Sequence, residues 1–372
     1  MFAVMRTAVV ILNWNTKDFL ERFLPGLAES MPEGAEVVVA DNGSSDGSLE
    51  MLDEKFPEIK QIRFDQNYGF TGGYNQAFNA LSDMPDASDL EYFVLINSDI
   101  DVPKGWLEPL IDWMDSHPDC AACAPKLHSF QDRDSFEYAG AAGGFLDKFG
   151  YPFCRGRVLK KLERDVGQYD SPAKVFWATG ACLMVRKDDY SRMGGLDERF
   201  FAHMEEIDLC WRLQLEGKGI WVVPDSVVYH VGGGTLPNDS PWKLKLNFRN
   251  NMLMLQNNLA KTFALQEAGK LPAGQAARKG LRRARKRIYL RSRLDLCSAL
   301  VYLLTGKMKL FKSVRDAQFE AARLSTRITE TELVDFLETH KGVEPPVMFP
   351  HWIIPLAMMK GNRIFDFIRK RT

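Results

Sequence analysis

The sequence predicts an α/β protein with a mostly parallel central sheet, followed by a helical C-terminal region. Three observations carry this expectation. Short, nearly continuous apolar runs alternate with amphipathic segments through the first hundred residues. Each of those runs ends in a polar, turn-forming segment. Beyond Asn247 the strand-like runs cease and helical spacing takes over.

The first run, residues 8–12, is rich in β-branched side chains and is broken by Asn13-Trp14-Asn15. Phe19, Leu20, Phe23, Leu24 and Leu27 then follow at helical spacing, with Thr16 as the expected N-cap. Residues 36–40 read as a second strand, stopped by the turn-rich 41–47. A helix over 48–55 leads to a third strand at 60–64. The glycine-rich segment 67–75 comes next, then a helix through Leu81 and a fourth strand at 92–96. Strands that lack polar alternation are buried on both faces, as in a parallel sheet covered by helices. The middle of the chain adds expected strands at 175–177, 182–186 and 220–223, and a helix over 205–216.

Composition sets the limits. The 372 residues include 48 Lys+Arg and 49 Asp+Glu, and 45% are hydrophobic, which excludes a disordered, collagen-like or disulfide-dense chain. The formal charge of −1 is a cancellation between unlike halves. Residues 260–372 hold 23 basic and 10 acidic residues, whereas 1–259 hold 25 and 39. Different partners are implied for the two halves. The six cysteines are scattered and the run at 8–12 is far short of a signal-peptide core, so a reduced, cytoplasmic protein is expected. The longest later apolar stretch, 296–304, is far below the ~20 residues of a spanning helix.

Ligands of parallel sheets bind outside the carboxyl ends of the strands. All four segments at those exits, 13–15, 41–46, 67–73 and 97–101, are polar. Turn chemistry explains any one of them; four in succession place a site there. Asp99 and Asp101 are spaced to hold a hard divalent cation that neutralises a diphosphate. Asp41 is placed to accept from a base N–H or a ribose hydroxyl. Gly69, Gly72 and Gly73 match neither the dinucleotide fingerprint nor a P-loop, but permit close backbone approach, and the helix behind them offers N–H groups to phosphate. Glu205 and Glu206 point about 100° apart on a helix and cannot both address one atom. Two readings stand for them: one acid acts on substrate beside a structural neighbour, or both form an acidic first turn favoured by the helix dipole. Asp208 and Arg212 are spaced to pair along that helix. His230 precedes three glycines, 232–234, which suggest a flexible or ligand-hugging loop. Cys120 and Cys123 have redox or zinc spacing, but no second pair follows, so core packing is expected.

Taken in order, these segments resemble glycosyltransferase family 2, in the branch of bacterial rhamnosyltransferase-like enzymes. The resemblance spans roughly residues 7–258. It rests on Ile11-Leu12-Asn13-Trp14-Asn15, Val39-Ala40-Asp41-Asn42-Gly43-Ser44-Ser45-Asp46-Gly47, Asn67-Tyr68-Gly69-Phe70-Thr71-Gly72-Gly73-Tyr74-Asn75 and Leu95-Ile96-Asn97-Ser98-Asp99. Thr179-Gly180-Ala181-Cys182, Gly194-Gly195-Leu196-Asp197-Glu198-Arg199-Phe200-Phe201 and Glu205-Glu206-Ile207-Asp208 complete it. It implies a GT-A fold, a UDP- or dTDP-linked sugar donor, a Mg²⁺ or Mn²⁺ ion and inversion at the anomeric carbon. By the same resemblance Asp41 contacts the base or ribose, with Asn13, Asn67, Asn97 and the three glycines around the donor. Asp99 and His230 serve the metal, and Glu206 is the catalytic base. Two departures stand out. Asn97 replaces the first Asp of the metal motif, leaving Asp99 and Asp101 for the ion. Glu206 replaces an Asp, so Glu205 remains the other candidate base.

A catalytic domain over 1–258 and a basic amphipathic region over 259–372 are therefore expected. Residues 278–293 contain nine Lys/Arg and no acid, and an apolar-rich stretch to Leu304 and Lys307, Lys309 and Lys312 follow. Near the end Trp352, Ile353, Ile354, Phe365 and Phe367 lie among further basic residues. Such a mixture suits the face of an anionic bilayer, at about 1 kcal/mol per charge. No nucleic-acid-binding module accompanies the charge. The expectation is a peripheral enzyme at the inner face of the plasma membrane, acting on a saccharide or lipid-linked acceptor in cell-surface polysaccharide assembly. Two other classes compete. A sugar-nucleotide-forming nucleotidyltransferase carries a Lys/Arg-containing phosphate loop after the first strand, which 13–15 lacks. A non-catalytic nucleotide-sugar-binding protein has no use for the intact set of acids.

Overall fold

The computed structural model describes residues 5–84, 87–232 and 240–372. The chain opens with β1 (Thr7–Asn13), α1 (Lys17–Glu29), β2 (Ala35–Asp41), α2 (Ser48–Lys55), β3 (Lys60–Arg63), α3 (Gly69–Ser82) and β4 (Tyr92–Ile96). β1 pairs in parallel with β2 and β4, and β2 with β3. Both faces of β1 are covered: Ala8 and Val10 enter one apolar core, Val9 and Ile11 the other. That is why the run lacks polar alternation. The register puts Asn13 beside Asp41, so the polar strand exits share one edge.

The sheet continues with β5 (Ile100–Asp101), α4 (Glu108–Ser116) and β6 (Cys120–Ser129). Four short strands, β7 (Gly144–Leu146), β8 (Pro152–Cys154), β9 (Arg157–Val158) and β10 (Lys161–Leu162), form a separate antiparallel sheet. Then come β11 (Ala173–Lys174), β12 (Cys182–Arg186), α5 (Lys187–Arg192), α6 (Glu205–Leu215) and β13 (Gly219–His230). The main sheet has the order β11-β13-β6-β12-β4-β1-β2-β3, with β5 against β13. β12 runs antiparallel to both neighbours, so the sheet is mixed but mostly parallel on its N-terminal side. Cys120 and Cys123 are fully buried in β6, as core packing requires.

Four local differences from the sequence reading have physical reasons. Thr16 flanks α1, but its hydroxyl donates to Asn13 Oδ1 (2.6 Å) instead of capping the helix. α3 starts at Gly69, inside the glycine-rich segment expected to precede the helix, because Gly73 lets it sit on β1: a Cβ there would lie 2.7 Å from the Leu12 side chain. β11 ends at Lys174, and the indole of Trp177 instead packs on Gly144. β13 is twelve residues long, with its register broken between Val222 and Val227.

The remaining chain is helical: α7 (Pro241–Ala268), α8 (Ala273–Leu304), α9 (Met308–Leu324), α10 (Glu330–Thr339), α11 (Ile353–Lys360) and α12 (Ile364–Arg369). The expected boundary at 258/259 falls inside α7, whose Leu253, Leu255 and Leu259 join the same core as Val10 and Leu95. Ile353 and Phe365, expected at a membrane face, instead pack with Ala357, Ile364 and Ile368 on Phe153 and Val158 of the small sheet. The run 278–293 is also partly committed within the protein. Lys279 and Arg283 pair with Glu267, Arg278 with Glu330, and Arg291 with buried Asp295. No helix among the described residues is long and apolar enough to cross a membrane.

Candidate active site

At the exit of β1 and β2, buried Asn13 donates to Asp41 Oδ1 (2.7 Å) and to Ser44 Oγ (3.0 Å). The Ser44 N–H donates to the other Asp41 oxygen (3.0 Å), so both carboxylate oxygens are oriented before any ligand arrives. Asn67 Oδ1 accepts from the Gly69 N–H (2.7 Å) and from the Asn42 amide (3.1 Å), fixing the turn into α3. The first N–H groups of α3 do not stand free for phosphate. Phe70 and Thr71 donate them to the Phe201 carbonyl (2.7 and 3.2 Å). Gly69, at φ +74°, is the position where a Cβ would strike the Phe201 ring. The glycines thus bring α3 close to β1 and to the loop before α6.

Asp99 lies after β4 and is buried. Its Oδ1 accepts from His230 Nε2 at the end of β13 (3.1 Å), and its Oδ2 from the Gly232 N–H (3.2 Å). Asn97 Nδ2 is 3.5 Å from the same ring nitrogen. The other nitrogen, His230 Nδ1, is 3.2 Å from Glu137 Oε2, an ion-pair contact without hydrogen-bond alignment. Burial lowers the pKa of this imidazole, but the two carboxylates outweigh it and push it up to about 10. Asp101 does not join the group: it pairs with Arg133. Gly233 and Gly234, part of the glycine-loop expectation, lie outside the described residues.

Among the described residues no three His, Cys, Asp or Glu side chains form a metal cage. Asp99 and His230 still offer a carboxylate and an imidazole side by side. Hard divalent ions complete such partial sets with phosphate oxygens and water, and the imidazole must shed its proton to ligate. The residues fit an ion that arrives with a diphosphate.

The third part is the start of α6. The run before it is strained: Phe201, His203 and Met204 all have left-handed backbones, at φ +63°, +71° and +74°. Outliers of this kind persist where surrounding structure enforces them. Glu205 is buried, Glu206 half-buried, and Oε2 of each lacks a hydrogen-bond partner. Burial raises both pKa values, Glu205 well above the carboxylate range with help from the neighbouring Glu206 charge. Glu206 is pushed up to about 7, although the N–H groups of the first turn pull it back. Gly180 faces it closely: a Cβ added there would lie 3.5 Å from that of Glu206. Asp208 is fully buried and pairs with Arg212 (2.7 Å), as its spacing predicts, and also accepts from Asn258 (2.7 Å).

The structure therefore gathers Asn13, Asp41 and Asn67 at one end of the edge, and Asn97, Asp99 and His230 at the other. Glu137 was invisible in the sequence. It lies in a stretch without motif or periodicity, and its N–H donates to the Leu127 carbonyl of β6 (2.9 Å), the strand that pairs with β13 and so brings it to His230.

A profile described as Glycosyl transferase family 2 matches residues 8–193, half of the chain, and one described as Glycosyltransferase like family 2 matches 134–257. The chain belongs to glycosyltransferase family 2. This family 2 glycosyltransferase is similar to the N-acetylglucosaminyl-diphospho-decaprenol L-rhamnosyltransferase of Mycobacterium tuberculosis, 27% identical over 299 residues that cover 75% of this chain and 95% of the relative. It is 25% identical to the rhamnosyltransferase WbbL of Escherichia coli K12 over 247 residues, 65% of this chain and 90% of that one. A crystal structure of GalNAc-T7 with UDP, GalNAc and Mn²⁺ superposes with a TM-score of 0.52 at 16% identity. The match covers 72% of this chain and 52% of that one, and it shows the shared GT-A fold.

Proposed function

We propose that this glycosyltransferase moves a sugar, with inversion, from a UDP- or dTDP-linked donor to a hydroxyl of a lipid-linked saccharide in cell-surface polysaccharide assembly. The observation that carries the reading is the Glu205–Glu206 pair, two carboxylates each with one buried, unpartnered oxygen at the start of α6. A carboxylate raised to about 7 is matched to removing a hydroxyl proton near neutral pH. Glu206 takes the acceptor proton as that oxygen attacks the anomeric carbon, and the nucleoside diphosphate leaves from the opposite side with the bonding electrons. Glu205 is more deeply buried, and burial and the neighbouring charge favour its neutral form. Asp41, Asn13 and Asn67 hold the base and ribose, Gly69, Gly72 and Gly73 shape the wall beside them, and Asn97 borders the diphosphate. Asp99 and His230 would hold a Mg²⁺ or Mn²⁺, which would supply charge neutralisation at the leaving diphosphate.

The names of the two rhamnosyltransferase relatives make a deoxyhexose the first sugar to test. The acceptor side faces a membrane. Leu300, Val301, Leu304 and Met308 are 47–77% exposed at the α8–α9 corner beside exposed Lys307, Lys309 and Lys312, and this corner docks on anionic lipid. The test is to incubate the protein with Mn²⁺, UDP- and dTDP-sugars and N-acetylglucosaminyl diphosphate on a short prenyl chain. Free UDP or dTDP and a product of inverted anomeric configuration are expected. Pyrophosphate release, or retained configuration, contradicts the reading.

A further inference from the structure

Arg157 has no role in the scheme above, yet its placement is costly. It opens β9, is only 7% exposed, and makes no ion pair with any carboxylate among the described residues. Its Nη2 donates to Cys154 Sγ (3.5 Å), while Nε is buried with no partner. Burial pushes the Cys154 thiol pKa up, so that partner is neutral and offers no compensating charge. A guanidinium cannot lose its proton, and burying it without an anion is strongly unfavourable. The nearest acid, Glu137, is already taken by His230 and by the Ala139 N–H.

Its surroundings say where the missing anion comes from. Among the acids only the Glu137 charge reaches Arg157, which sets the guanidinium on the His230 side of the cleft. The guanidinium stands 4.4 Å from the ring centre of Tyr138, a side chain 54% exposed that borders Glu137 in sequence. One face of the guanidinium is thus stacked, while Nε, buried without a partner, keeps an unused donor. Two parallel N–H groups match a phosphate in bidentate fashion.

We propose that Arg157 is a substrate-binding residue whose missing counter-ion is a phosphate group entering the cleft past Tyr138. The inference rests on reading the cleft as a transferase site. Both substrates in that reading carry a diphosphate, and the test separates them.

Transfer by the full-length protein with Mn²⁺ is measured for wild type, Arg157→Gln and Arg157→Lys. Two acceptors are used, geranyl-linked N-acetylglucosaminyl diphosphate and geranyl N-acetylglucosaminide without phosphate, together with donor KM and acceptor-free donor hydrolysis. Arg157→Gln is expected to raise KM for the diphosphate acceptor at least tenfold, with KM for the phosphate-free acceptor and for donor unchanged. That result assigns the acceptor phosphate. A rise in donor KM and loss of hydrolysis, equal for both acceptors, assigns the donor phosphate. Arg157→Lys keeps the charge but not the fork, and an intermediate KM is expected; it also serves if the Gln variant fails to fold. Unchanged KM values for all substrates in a folded variant overturn the proposal. A wild-type protein that transfers no sugar refutes the transferase reading itself, whatever Arg157 does.

Discussion

Asn250 is the side chain whose removal tests most sharply how the catalytic acids are held. It is fully buried on α7, and its Nδ2 donates to the carbonyls of Phe200 (2.9 Å), Ala202 (2.7 Å) and His203 (2.7 Å). Neighbouring Arg249 donates to the Phe200 carbonyl as well (2.7 Å), so Asn250→Ala leaves Ala202 and His203 without their donor. An unsatisfied buried carbonyl costs about 1–3 kcal/mol, which gives roughly 2–6 kcal/mol for the pair. The same loop carries three non-glycine left-handed residues, each disfavoured by roughly 1–2 kcal/mol and free to relax once released. Relaxation displaces Glu205 and Glu206, and a shift of about 1 Å is enough to cost ~10²-fold in rate. Urea denaturation and steady-state kinetics on Asn250→Ala are expected to show both losses, with donor KM nearly unchanged because Asp41 and Asn13 lie on other elements. A variant within about 0.5 kcal/mol of wild type and with normal kcat refutes this account of the loop.

Four further outcomes follow from the same geometry. The kcat/KM profile should rise with pH through about 7, because Glu206 must lose its proton to act as base; a profile flat from pH 5 to 8, on the order of the range where it titrates, contradicts that. The same raised pKa makes the folded state bind more protons than the unfolded one between the ordinary carboxylate range and about 7, so stability falls as pH rises there. Thermal melts of Glu206→Gln should therefore gain on wild type with increasing pH. Asp208→Ala removes the fully buried partner of Arg212 and one acceptor from each of the Asn257 and Asn258 amides, and a loss of roughly 1.5–3 kcal/mol in urea denaturation is expected. Leu300→Glu with Leu304→Glu should abolish flotation with anionic vesicles while leaving transfer to a soluble acceptor intact; unchanged flotation removes the proposed lipid contact.

The parallel half of the fold was readable because burial on both faces leaves a pattern. Tyr92–Ile96, Cys182–Arg186 and the helix Ser48–Lys55 fall where the sequence places them. Asn13, Asp41, Asn97 and Asp99 were readable because strand exits concentrate polar residues on one edge. What escaped has no local signature. The glycine-rich opening of α3 has a loop's composition, and contact with Leu12 and Phe201 makes it helix. The small sheet β7–β10 has strands of two or three residues, too short for periodicity. Glu137 and Arg157 gain meaning only from what the fold lays beside them. The basic run likewise reads as one charged face until Glu267, Glu330 and Asp295 are seen to take part of it.

The central claim is that Glu206 removes the acceptor proton in a cleft whose donor site stands apart from it. Its most direct test is Glu206→Gln, with kcat measured beside the dissociation constant of the nucleotide-sugar donor. The account predicts a loss of ~10²–10⁴-fold in kcat, with donor affinity within about twofold of wild type. Near-normal kcat in Glu206→Gln, with the loss appearing in Glu205→Gln instead, would contradict it.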